Sequence, residues 1–252
     1  MIKKIFFLSV FFLFACGSAD YSKIKVIEVI DGDTVKLANG QNLRYIGIDT
    51  PEVRIKRNGK FIYAPQDFAL EAKEYNKTLV EGKTVNIEFD LEKKDRYGRL
   101  LGYCFVDGVF VNESLVKEGY ALIYTYPPNV KYSDLLVKAQ KAAREAKRGI
   151  WSSYEVISPE QANTHIGKVK VVRGRVLKAH KSDKCVFLNF GHDYKTDFTV
   201  VIFNRSLVHF RAKGIDPATF YEGKEIEVTG KIKEYNGPEI IADTPYSIEV
   251  VK

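Results

Sequence analysis

Glycine placement constrains this chain more than any other feature. Asp31-Gly32, Asn39-Gly40, Asp107-Gly108 and Asn236-Gly237 each punctuate short apolar runs. An Asx-Gly pair between such runs is a hairpin signal, because tight turns need backbone angles that glycine and its small polar partner tolerate. A chain punctuated in this way folds as short strands joined by tight turns. Across 23–48, Ile24, Val26, Val29, Val35, Leu37, Leu43, Tyr45 and Ile48 predict a three-stranded meander. Helical spacing then takes over in Phe68, Ala69, Ala72, Tyr75, Leu79 and Val80, with Pro65 at the start and Gly82 at the stop. Strands follow at 84–89 and 99–106, then a short helix at 112–117. A third helix runs from Ser133-Asp134 to Arg148-Gly149. Five strands with a helix between the third and fourth predict a mainly β, α+β chain. Its first part, 20–151, is a five-stranded OB-fold β-barrel with three helices.

The length of 252 residues leaves room for a second small domain. Residues 152–164 are polar, contain Ser158-Pro159 and read as a linker, with Trp151 packing the end of the first domain. Beyond them, 165–252 repeats the β pattern. Gly174 is expected to mark a bulge or bend, 206–213 reads as a helix, and Ile226, Val228, Gly230 and Ile232 alternate. A second OB-like β-barrel is predicted, with no sequence repeat visible between the two.

The first residues differ from the rest. Lys3 and Lys4 precede a run at 5–15 that is apolar apart from Ser9, too short to span a bilayer as a helix. A signal peptide over 1–15 is expected. Leu13-Phe14-Ala15-Cys16 resembles the lipobox of bacterial lipoproteins, which makes Cys16 the first mature residue, the site of lipidation and the tie to a membrane. Plain secretion is the other reading, and both export the chain. Cys104 and Cys185 lie in apolar runs in different domains and are expected as two unpaired buried thiols. The net charge of +7 is a modest basic bias, compatible with a polyanionic partner. His165, His180, His192 and His209 fit no metal-binding spacing.

Three segments carry candidate chemistry: Asp31-Gly32-Asp33-Thr34, Arg44 to Glu52 with Asp49-Thr50-Pro51, and Asp95-Arg96-Tyr97-Gly98-Arg99. Alone, the first is a hairpin turn, the second a capped helical turn, the third a charged turn. In this order and at these spacings, over about 23–151, they resemble the staphylococcal nuclease (thermonuclease) family. The resemblance implies a calcium-dependent nuclease that hydrolyses phosphodiester bonds in DNA and RNA and leaves 3′-phosphates. It implies that Asp33, Asp49 and the Thr50 carbonyl bind Ca²⁺, a cation that favours an all-oxygen shell, with Asp31 orienting the site from behind them. It makes Glu52 the residue that directs the attacking water. Arg44 and Arg99 are suited to clamp phosphate oxygens, since guanidinium forks match them in pairs. Tyr124 and Tyr126, two apart in an extended segment, resemble the tyrosines that flank the nucleotide; Tyr97 resembles the base-stacking residue, and Arg96 stands where a lysine is usual. The basic loop from Lys56 to Lys60 is expected beside the groove. For the second barrel, Lys170, Arg173, Arg175 and Lys178 could hold single strands. The alternative readings are a catalytically weak nucleic-acid-binding module and an envelope interaction module. No protein partner is identifiable, and a monomer is expected.

Overall fold

The computed structural model describes residues 21–57, 59–153 and 155–251. The leader at 1–15 and Cys16 therefore lie outside the described residues. The first barrel is built from β1 (Ile24–Asp31), β2 (Thr34–Leu37), β3 (Asn42–Tyr45), β7 (Thr84–Glu88) and β8 (Leu100–Val106). Between them come β4 (Gly47–Asp49), β5 (Arg54–Arg57), β6 (Lys60–Tyr63) and the helix α1 (Ala69–Val80). After β8 follow β9 (Val109–Phe110), α2 (Val111–Lys117), β10 (Leu122–Tyr124) and α3 (Ser133–Glu145). Strand β1 pairs antiparallel with β2 and β7, β2 with β3, and β7 with β8; β3 pairs parallel with β8 and closes the ring. This is the predicted five-stranded barrel with three helices. Its core holds Val26, Val35, Leu37, Leu43, Tyr45, Ile48, Leu100, Tyr103 and Leu115, all buried. Each such aliphatic side chain contributes about 1.5–3 kcal/mol relative to exposure.

The second barrel uses β11 (Val156–Ile157), β12 (Val169–Arg175), β13 (Lys178–Lys181), β14 (Cys185–Asn189), β15 (Thr199–Phe203), α4 (Leu207–Ala212) and α5 (Pro217–Phe220). Then come β16 (Glu225–Lys231), β17 (Lys233–Glu234), β18 (Pro238–Ile241) and β19 (Ile248–Val250). One sheet has the order β11-β12-β16-β19 and the other β13-β14-β15-β18-β17. The nearly continuous strands β12–β13 and β16–β17 pass from one sheet to the other. Strand β15 pairs parallel with β18, as β3 does with β8.

Several expectations change in detail. The third strand of the meander is two strands, because Gly47 adopts a left-handed φ of 81° and turns the chain toward β10. Helix α1 starts at Ala69 and not at Pro65: Phe68 sits at φ 67°, and the residues before it bond back to Glu52. The basic loop is a hairpin, β5 paired with β6. Gly174 forms no bulge, since β12 and β16 keep an unbroken register through it; a Cβ there would lie 2.6 Å from Pro159 Cγ, so close packing excludes a side chain. The expected linker is folded from 155 onward, with β11 paired to β12 and a 3-10 helix over Pro159–His165; Ile157 and Ala162 are buried in the second core. Trp151 packs with Ala143, Ile150 and Val171, and so sits between the barrels and not at the end of one. Cys104 and Cys185 are free and buried. The Asp107-Gly108 and Asn236-Gly237 hairpins form with both residues at positive φ. Among the described residues, no helix is long and apolar enough to cross a membrane.

Candidate active site

The hairpin between β1 and β2 and the chain reversal between β3 and β4 bring two distant carboxylates together. Asp33 occupies the tight turn, where its backbone carbonyl accepts from Tyr45 N at 2.9 Å. Its carboxylate accepts from Thr34 Oγ1 and from Thr50 N, each at 3.0 Å. Gly32 permits this closure, because a Cβ on it would lie 2.7 Å from Thr50 Oγ1. Asp49 ends β4, held by the β10 pairing of Leu122 with Asp49.

Arg44 lies at the centre. One guanidinium nitrogen meets Asp33, and Nη2 reaches Asp49 Oδ1 at 2.6 Å. Burial works against the Arg44 charge, and Asp33, Asp49 and Glu52 outweigh it, so the group is held above its ordinary pKa. Three carboxylates act in turn on Glu52. Burial first, then the charges of Asp31, Asp33 and Asp49, push it up to about 7. Burial and the Asp33 charge raise Asp31 as well, and Asp31 and Glu52 lie close enough to act on each other's ionisation. Asp31 thus acts directly on Glu52, where the sequence placed it behind the ligands. Glu52 is also fixed through its backbone: its N–H donates to Gln66 Oε1 at 2.8 Å, and its carbonyl accepts from Gln66 N at 3.0 Å. Sequence reasoning passed over Gln66, and its only signal is a polar residue just after Pro65 at a presumed helix start.

The turn 95–99 forms a second group. Asp95 accepts from Tyr97 N at 2.9 Å and Arg99 N at 3.0 Å, and its second oxygen takes Arg99 Nε at 2.7 Å. These bonds overcome the cost of burial and hold Asp95 below the usual carboxylate range. Arg96 lies over the Tyr97 ring at 4.8 Å and Arg99 at 5.6 Å, and Arg96 Nη2 donates to Tyr97 Oη at 2.8 Å. A cavity of about 560 Å³ is lined by Arg44, Arg96, Tyr97, Arg99, Tyr124 and Tyr126, among others. A neighbouring cavity of about 360 Å³ is lined by Asp49, Thr50, Glu52, Gln66, Tyr124 and Tyr126. Tyr124 and Tyr126 are exposed and Thr125 between them is buried, so both rings stand on one side of an extended segment.

The family described as staphylococcal nuclease homologue matches residues 42–153. Thermonuclease of Staphylococcus hyicus is 41% identical over 140 residues, 54% of this chain and 80% of that protein. This chain belongs to the staphylococcal nuclease family. Endonuclease YncB of Bacillus subtilis is 42% identical over 128 residues, 49% of this chain and 58% of that protein. The SPbeta prophage-derived endonuclease YokF of Bacillus subtilis (strain 168) is 39% identical over 158 residues, 61% of this chain but 51% of that protein. The family match starts at residue 42, so Asp31 and Asp33 come from outside it, and the barrel closure is what joins them to Asp49 and Glu52.

Among the described residues, no group of three or more His, Cys, Asp or Glu side chains is placed to hold a metal ion. What the family member has is two carboxylates meeting at one positive centre. That donor set fits a hard cation which takes its remaining ligands from main-chain oxygen and water. Thr50 donates its N–H to Asp33 Oδ2 at 3.0 Å.

Proposed function

We infer that this chain is a nuclease hydrolysing phosphodiester bonds in DNA and RNA, with Ca²⁺ as cofactor and 3′-phosphates as products. The observation that carries this reading is the convergence of Asp33 and Asp49 on Arg44, with Glu52 beside them in the same crowd of carboxylates. Asp33, Asp49 and the Thr50 carbonyl would hold the cation. When bound, it supplies positive charge against the phosphate and against the oxygens of the reaction.

The chain's own groups do the rest. Glu52 takes a proton from the attacking water, a task that suits a carboxylate held near neutrality. The water oxygen bonds to phosphorus, and the bond from phosphorus to the 5′ oxygen breaks. That oxygen leaves with a proton from solvent. Arg44 and Arg99 clamp phosphate oxygens and stabilise the negative charge that grows on them. Arg44 has five N–H donors, more than its two carboxylates require. Arg99 is pre-aimed by Asp95. Tyr97, Tyr124 and Tyr126 present ring faces to bases, with Arg96 over Tyr97. Export with a lipid anchor at Cys16, and action as a monomer, complete the proposal.

The test is digestion. The purified mature chain is incubated with Ca²⁺ and single-stranded DNA, duplex DNA or RNA, and the cut ends are analysed. The reading expects fragments ending in 3′-phosphate. Intact polynucleotide in every sample would reject the nuclease reading, and 3′-hydroxyl ends would reject the bond assignment.

A further inference from the structure

The two cavities at the catalytic group are not enclosed by the first barrel alone. Across from Arg44, Arg99 and Tyr97, the larger one is lined by Arg205 and Asp243 of the second barrel. Across from Asp49, Glu52 and Gln66, the smaller one is lined by Lys231, Tyr246 and Ser247, also of the second barrel. Tyr124, Tyr126 and Asp243 line both, so the cavities form one path over the catalytic residues.

The second barrel is firmly seated as that wall. Arg144 Nη2 on α3 meets Glu227 Oε2 on β16 at 2.5 Å, and Lys213 Nζ meets Asp134 Oδ1 at 2.9 Å. Trp151 packs on Val171 between them, and the His209 ring lies 5.3 Å from that of Tyr126. Arg205 itself is mostly exposed. It stands 3.9 Å from Asp243 Oδ1, an oxygen already bonded to Ser206 Oγ at 3.0 Å. Asp243 therefore has the wrong sign for a phosphate but tethers the guanidinium that has the right one.

We propose that the second barrel completes the substrate groove: it forms the far wall of a path for an unpaired polynucleotide strand, and Arg205 and Lys231 hold backbone phosphates on either side of the one that is cut. This rests on the nuclease reading and extends it to a substrate form. Each cavity is the size that encloses a drug-sized molecule, room for one nucleotide at a time and not for a stacked base pair. Cations along a groove with aromatic faces beside them are the means by which single strands are held without sequence preference. Lys170, Arg173, Arg175 and Lys178 line neither cavity, and Arg173 is occupied by Glu225 at 2.7 Å.

The test uses the full chain carrying Glu52→Gln, so that the probe survives, with Ca²⁺ present. Binding of a fluorescent twelve-nucleotide oligothymidylate is followed by anisotropy over a salt series. Arg205→Ala and Lys231→Ala should each weaken binding several-fold and lower the slope of log K against log salt by about 0.7. Arg205→Lys should keep the slope. Lys181→Ala, on β13 and lining neither cavity, should change nothing, and a duplex probe should bind more weakly than the single strand. Arg205→Ala and Lys231→Ala with unchanged affinity and slope, or a duplex preferred to the single strand, would overturn the proposal. If the unmutated chain cuts polynucleotide and Arg205→Ala and Lys231→Ala leave binding unchanged, only this inference fails. If the unmutated chain neither cuts nor binds, the nuclease reading falls with it.

Discussion

The two barrels of this chain share a strand plan and differ in what they do with it. In each, the first strand pairs with the second and the second with the third; the third closes in parallel on the fifth, and a helix follows the third. In the first barrel carboxylates gather at the end of the third strand; in the second, Glu225, Glu227 and Glu249 gather on β16 and β19, where Arg173 and Arg144 take them up. The difference lies just after the third strand. In the first barrel β3 breaks at Ile46-Gly47 and delivers Asp49 and Thr50 to Asp33. In the second, β15 runs straight to Phe203 and ends in a 3-10 turn at Asn204–Ser206, which presents Arg205. The shared topology supplies strand ends at a common place. We propose that one glycine and a handful of side chains decide whether those ends serve a cation or a phosphate.

The largest effect that separates the barrels should come from Arg44→Ala. It removes the centre on which two carboxylates converge and one of the two proposed phosphate clamps. Turnover is expected to fall by about 10²–10³, while Lys181→Ala in the second barrel leaves it within a factor of about two, as surface changes do. Glu52→Gln comes next, with turnover lower by about 10²–10⁴. Because burial and then three neighbouring carboxylates disfavour the Glu52 charge, removing it should leave the melting temperature unchanged or higher. A parallel loss of stability and activity would instead mark Glu52 as structural.

Trp151→Ala tests whether the barrels are one unit. Loss of this buried ring should cost about 3–5 kcal/mol in denaturant unfolding, with tryptophan-independent probes of both barrels shifting together. A shift confined to the first barrel would separate them. The smallest expected effect belongs to Gln66→Ala. One hydrogen bond to Glu52 N is lost, worth about 0.5–1.5 kcal/mol, so turnover should drop by no more than about tenfold with KM little changed. An unchanged turnover would remove Gln66 from the positioning of Glu52.

Much of this was legible in the sequence for a physical reason. Asx-Gly turns and alternating apolar residues are local signals, and they located the strands, the two barrels and the turn that carries Asp33. What stayed hidden depends on contacts far apart in the chain. Pro65 reads as a helix start, but hydrogen bonds to Glu52 hold the following residues out of the helix. Gly174 reads as a bulge until Pro159 is known to lie against it. The stretch 152–164 reads as a linker because its polar residues outnumber Ile157 and Ala162, the two that enter the core. Arg205 and Lys231 carry no local signal, since only the seating of one barrel on the other brings them to the groove. The sequence carried the candidate residues by their order and spacing, and the structure adds the bridge of Arg44 between Asp33 and Asp49.

We propose that Asp33 and Asp49 serve a cation and that the chain cuts nucleic acid only when it is bound. The most direct measurement is cleavage of a single-stranded oligonucleotide by the mature chain as Ca²⁺ is titrated, then in excess chelator, for the unmutated protein and for Asp49→Asn. Saturable activation by Ca²⁺, loss of cleavage in chelator, and an Asp49→Asn curve displaced to higher Ca²⁺ are expected. Full cleavage in chelator, with Asp49→Asn following the same curve as the unmutated chain, would contradict it.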